Sequence, residues 1–224
     1  MISMVILGMT SAFVIPGWTT VHNTDIMDHA LNNRFVMQAS SNLETMPSTD
    51  SNMVEILSNA EAVGRRVKDI VIEEGKKAIA ARGKFALAIP GGSILKMLTG
   101  MDPAIMSEIS EKTTIAYVNH KCVAMDDIQL ATHANARKLF LDDDAWKAAN
   151  VIVMDGTADG DAEAKSYESK MRDLAANTLP VIEVGIPIFD LALIGVGDDG
   201  LFGSLFSARD EVSTGIVRID LPVC

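Results

Sequence analysis

At 224 residues the chain can hold one α/β domain with a sizeable core and is too short for two comfortable ones. Hydrophobic residues make up 48% and charged residues 22%, a globular composition rather than a disordered one. Its 19 Lys+Arg against 30 Asp+Glu give a formal charge of −11 with no basic stripe, which argues against a nucleic-acid partner and leaves anion binding to a few local donors. Met1 to Met9 is apolar, the first Lys or Arg is Arg34, and no apolar run is long enough to span a bilayer, so no membrane role is expected. The step Ser11-Ala12-Phe13 resembles the cleavage context of presequences for complex plastids, whereas Asp25, Asp28, Glu44 and Asp50 are acidic for a transit segment. Residues 1–51 therefore read as an extension, either loosely ordered or a targeting presequence, ahead of a domain over 52–224. The expected location is the cytoplasm, with the plastid as alternative. Cys122 and Cys224 make neither a disulfide framework nor a zinc site, and they point to a reducing compartment.

Asn52 is an N-cap candidate with Glu55 three residues on, and Ile56, Ala60, Val63, Val67, Ile70 and Val71 follow at helical spacing. Glu73 and Lys77 are set to pair on the outer face, and Gly83 is placed to stop the helix. Phe85–Ile89 reads as a buried strand ended by Pro90-Gly91-Gly92, with Ser93 opening a helix to about Leu98. Thr113–Val118 is a second strand, Leu130–Leu141 a helix, and Val151–Met154 a third strand ended by Asp155-Gly156. Ala164, Tyr167, Met171 and Leu174 mark another helix, and Phe189–Ile194 is a fourth strand. Strands alternating with helices predict a parallel sheet covered on both faces, with the carboxyl ends of Ile89, Val118 and Ile194 on one edge.

Three segments follow those strand ends, where ligands bind in such a sheet. In Pro90-Gly91-Gly92-Ser93 the glycines let the backbone approach an anion and the Ser93 hydroxyl adds a donor; an ordinary strand–helix turn has the same composition. Asn119-His120-Lys121 places an amide, an imidazole and an ammonium together, and read locally it is also a plain solvated loop. Gly195-Val196-Gly197-Asp198-Asp199-Gly200 has the form G-x-G-x-x-G, and Asp220 imitates the ribose-binding acid of a dinucleotide site. Too little chain follows it to complete a mononucleotide-binding half. The Asp126-Asp127 and Asp142-Asp143-Asp144 runs are read as caps and solvated loops before metal ligands.

Taken in order, these three segments resemble the motifs of the 6-phosphogluconolactonase family and its sugar-phosphate isomerase relatives. Phe85–Ser93 is similar to that family's strand and Ser-Gly-Gly-Ser loop, with Pro90 for the first serine. Asn119-His120-Lys121-Cys122-Val123 stands where the family has Asp-Glu-Arg-Cys-Val. Gly195–Phe206 is similar to Gly-Met-Gly-Pro-Asp-Gly-His-x-x-Ser-Leu-Phe, with Leu201 in place of the histidine. The resemblance runs from about Asn52 to Phe206, and the chain is expected to be shortened at its carboxyl end. It implies a Rossmann-like α/β domain and hydrolysis of 6-phospho-D-glucono-1,5-lactone to 6-phosphogluconate, with no cofactor and no metal. It also implies that Gly91, Gly92, Ser93, Lys121, Gly197 and Gly200 hold the sugar phosphate. Asp199 would orient groups at the reacting end, and the family's base falls on Leu201, which has no proton to transfer. His120 is the candidate replacement. A non-catalytic sugar-phosphate binder is the second expectation. A glucosamine-6-phosphate deaminase fits less well, because Asn119 stands where that chemistry needs an acid.

Overall fold

A computed structural model of the chain describes residues 2–8, 12–18, 54–175 and 187–196. The first long helix, α1, spans Ala60–Arg82. Asn59, not Asn52, caps it: the Asn59 carboxamide accepts from the Ala62 amide at 2.9 Å. The predicted start was too early because Val54–Glu55 is drawn into a short strand, leaving Ile56 80% exposed. Val63, Val67, Ile70 and Val71 form the buried face as the periodicity required, and Gly83 ends the helix at φ +75°. The expected Glu73–Lys77 pair is replaced by two others. Lys77 bonds Glu74 at 2.5 Å, and Glu73 lies 3.6 Å from Arg66, which also binds Glu55 at 2.8 Å.

Among the described residues the sheet has seven strands: β1 (Ile2–Gly8), β2 (Ala12–Trp18), β3 (Val54–Glu55), β4 (Phe85–Ile89), β5 (Thr113–Tyr117), β6 (Asn150–Val151) and β7 (Leu191–Val196). Their order is β3-β2-β1-β7-β4-β5-β6. The strands β1, β7, β4, β5 and β6 pair in parallel, while β2 and β3 add an antiparallel margin. Two strands thus come from the segment read as an extension. Ile89 lies opposite Tyr117 in the β4–β5 ladder, and Leu191 opposite Leu87 in the β4–β7 ladder, so these strands end on one edge. From β4 the chain winds to β5 and β6 on one side and returns as β7 on the other. The crevice between the ends of β4 and β7 is therefore the switch point at which such sheets bind ligands.

Helices cover both faces. Phe85, Leu87, Ile89, Ile115, Tyr117, Leu191 and Leu193 point into a core closed by α1, by α2 (Ile94–Met97) and α3 (Pro103–Ser110), and by Phe140 and Trp146. The alternate residues Ala86 and Ala116 face the other way, against Tyr167 and Met171 of α5 (Gly160–Ala175). Alanines there let the second helix layer lie close. This is the α/β fold that strand–helix alternation predicted.

Several boundaries moved. The predicted 130–141 helix starts later, at Thr132, because Asp127 caps the Gln129 and Leu130 amides at 2.9 Å and holds the preceding turn apart, and it consists of α4 (Thr132–Ala136) followed by one π-helical turn, Arg137–Leu141. Strand β6 ends at Val151, although the Ile152 amide still donates to the Ile115 carbonyl at 2.8 Å; beyond it the Val153 carbonyl accepts from Lys170 of α5 at 2.9 Å. Strand β7 starts two residues late. Asp190 is occupied instead in bonding the Ala86 amide at 2.7 Å and pairing with Arg82. Cys122 is disulfide-bonded, a correction to the reading that expected its thiol reduced. Among the described residues no helix is long and apolar enough to cross a membrane.

Candidate functional site

The loop after β4 depends on two glycines for different reasons. Gly92 has φ +76°, a left-handed conformation that residues with a Cβ adopt at a cost. At Gly91 the constraint is space, because a Cβ there would stand 3.2 Å from Thr132 Oγ1 at the start of α4. Ser93 precedes α2 and its hydroxyl makes no capping bond, which leaves it available at the exposed edge. The Gly91 amide itself is engaged: it donates to Asn119 Oδ1 at 3.3 Å. That bond joins the first and second motifs physically, and it assigns Asn119 the task of bracing a loop.

His120 is 3% exposed, against the reading of a solvated loop. Its Nδ1 sits against the Lys121 carbonyl oxygen, which can only accept, so Nδ1 carries a proton, and in the neutral ring the lone pair falls on Nε2. Nε2 is buried without a hydrogen-bond partner among the described residues. A neutral imidazole with one nitrogen anchored and the other free has the arrangement of a general base. Lys121 is exposed and forms no ion pair among the described residues, leaving its ammonium free for an anion.

Behind His120 lies a cluster that periodicity did not single out. The Tyr117 ring meets His120 edge-on with centroids 6.2 Å apart, and His133 at 5.8 Å. Burial, with Tyr167 nearby, pushes the Tyr117 phenol far up, so it keeps its proton, and its hydroxyl shares a hydrogen bond with His133 Nδ1 at 2.7 Å. Burial, then Arg137 and His120, push His133 below the ordinary imidazole value. On the opposite face the Tyr167 hydroxyl accepts from the Tyr117 amide at 2.7 Å, so the last residue of β5 is held from both sides. Tyr167 had registered only as one position on a helix face.

The third motif is described as far as Val196. Gly195 packs against the residue that follows the first loop of the site: a Cβ there would stand 3.1 Å from Ile94 Cδ1, one residue after Ser93. The ends of β4 and β7 therefore converge. Gly197, Asp198, Asp199, Gly200, Leu201 and Asp220 lie outside the described residues. The acidic runs serve locally, Asp127 as a cap, Asp142 with Arg137 at 3.0 Å and Asp144 with Lys147 at 2.6 Å.

The profile of the family described as glucosamine-6-phosphate isomerases/6-phosphogluconolactonase matches residues 58–219. The chain belongs to this family. It is 26% identical over 159 residues to the 6-phosphogluconolactonase of Homo sapiens, covering 69% of this chain and 59% of that protein. It is 30% identical over 166 residues to the 6-phosphogluconolactonase of Synechocystis sp., covering 72% of this chain and 65% of that one. A solved 6-phosphogluconolactonase from Shewanella baltica shares the fold with a TM-score of 0.55 at 20% identity, over 70% of this chain and 62% of that chain. The chain thus spans less than two thirds of the length of these relatives. Within the family frame the first two motifs occupy adjacent loops at the edge where β4, β5 and β7 end, with β7 on the far side of β4 from β5.

Proposed function

We propose that the chain hydrolyses a phosphorylated six-carbon lactone, 6-phospho-D-glucono-1,5-lactone, to 6-phosphogluconate. The observation that carries this reading is His120 Nε2, unpartnered at the ligand edge beside a glycine loop with a free hydroxyl and a free ammonium. The phosphate would lie on the Gly91-Gly92-Ser93 loop with Lys121 as its cation. Lysine gives a point charge and not the bidentate fork of the arginine that the family motif carries there. Gly197, Gly200 and Asp199 complete the proposed site from the third motif.

In this mechanism Nε2 takes a proton from the attacking water as its oxygen bonds the lactone carbonyl carbon. The tetrahedral intermediate then collapses, the bond from that carbon to the ring oxygen breaks, and the ring oxygen takes the proton back from the imidazolium. Two features slow it. Leu201 removes the family's own base, and burial of His120 means that the 119–123 loop must open before water reaches Nε2. General acid–base assistance is worth about 10²–10⁴-fold, so turnover is expected well below that of a complete site. The test is lactone hydrolysis by purified protein against the spontaneous rate, with His120→Ala alongside. The reading requires wild-type turnover above spontaneous and loss of that excess in His120→Ala with the fold intact.

A further inference from the structure

A groove of about 500 Å³ lies between α1 and α2, and it opens beside the loop that carries Ser93. The helices meet at Gly64, where a Cβ would be in ordinary contact with Met97 Cγ at 3.8 Å. Three cations line it: Arg65 and Lys68 from α1 and Lys96 from α2, against one carboxylate, Glu61. The Lys68 ammonium reaches across toward the turn after α2, 3.9 Å from where a Cβ on Gly100 would stand.

These cations differ from their neighbours in having no counterion. Arg66 is paired with Glu55 and Glu73, and Lys77 with Glu74, whereas among the described residues none of Arg65, Lys68 and Lys96 has a carboxylate within 4.0 Å. Three like charges converging on one groove repel one another, and an anion between them relieves that repulsion. In a chain of formal charge −11 such a concentration is local and selects its ligand by size. The volume fits one small molecule, pockets for such ligands running from about 300 to 1,000 Å³. A nucleic acid or an anionic bilayer would meet the protein's overall negative field instead.

We propose that this groove binds a small phosphate-bearing anion, held by Arg65, Lys68 and Lys96, at a site separate from the one assigned to the lactone phosphate. Ser93 lies at the boundary of the two and can donate its hydroxyl to either. The inference rests on the unpaired cations and the cavity, not on lactone hydrolysis.

The experiment is a titration of the full chain with inorganic pyrophosphate, followed by amide chemical shifts. The Gly64, Arg65 and Lys96 amides should shift and saturate. Lys68→Gln with Lys96→Gln should weaken the affinity about tenfold, as loss of two exposed charge contacts would. Lys121→Ala should leave the groove affinity unchanged, and added salt should weaken it. Shifts that fail to saturate at the groove would overturn the proposal, as would equal affinity in the double variant. An affinity that tracks Lys121 would also overturn it, by showing one anion site and not two. Lactone turnover is read separately, so failure here is distinguishable from failure of the hydrolase reading.

Discussion

The Gly91 amide donates to Asn119 Oδ1 at 3.3 Å, which ties the loop after β4 to the loop after β5. In the family motif an acid stands at position 119. The amide supplies an oxygen acceptor there and so provides the brace, whatever it does to the chemistry.

Asn119→Ala removes that acceptor and should raise hydrogen exchange at the Gly91 amide. Affinity for 6-phosphogluconate should fall by roughly three- to tenfold, the equivalent of one hydrogen bond. Asn119→Asp keeps an oxygen in place and should preserve Gly91 protection. Unchanged exchange at Gly91 in the alanine variant would show that the loops are held together by something else.

Tyr167→Phe tests the other support of the site. The hydroxyl accepts from the Tyr117 amide at 2.7 Å in a buried setting, so its removal strands a donor and should cost about 1–3 kcal/mol. Urea denaturation measures this. Because Tyr117 also orients His133 and flanks His120, the His133 imidazole resonances should move in the same variant. A stability equal to wild type would mean that the amide has found a new partner.

Glu163 gives the fold an acid-sensitive joint. It is 1% exposed and accepts from the Asp155 amide at 3.0 Å and the Thr157 amide at 2.6 Å, fixing the turn after β6 to the first turn of α5. Burial alone would raise its carboxyl, but the bonds from Thr157, then Gly156 and Asp155, outweigh burial and hold it below the ordinary value. A lowered folded-state value means stability that is present above the unfolded carboxyl range and lost as pH falls through the folded one. Urea midpoints between neutral pH and about pH 3 should show this loss, and Glu163→Gln, which turns an NH₂ toward an N–H donor, should be destabilised at neutral pH and lose less on acidification. Equal pH profiles for the two proteins would remove Glu163 from the joint.

The sequence made the central strands and their shared edge legible because apolar runs at Phe85, Thr113 and Phe189 are each followed by a polar motif. Boundaries were less legible where a capping side chain competes with periodicity. Asn59 prevailed over Asn52 because β3 takes up the residues between them. The helix α3 was passed over, although Asp102-Pro103 is a start signal: Asp102 caps the Ala104 amide at 2.8 Å and Pro103 begins the helix. Within the site, chain order placed Gly91, Gly92, Ser93, His120 and Lys121 on neighbouring loops, yet burial of His120 is a tertiary property. It follows from Tyr117 and the packing of α4, which no local window contains. Glu163 was hidden for the same reason, since a carboxylate in a first helical turn is ordinarily a solvated charge.

The central claim is that this fold retains a lactonase site in which Leu201 replaces the family's base and His120 partly substitutes for it. The most direct measurement is the hydrolysis rate of 6-phospho-D-glucono-1,5-lactone by the wild-type chain and by Leu201→His, each against the spontaneous rate. The account predicts wild-type turnover above spontaneous and a gain in Leu201→His of about 10²-fold, the low end of acid–base assistance. Turnover at the spontaneous rate in both proteins, with their folds intact, would contradict it and leave a sugar-phosphate-binding member of the family.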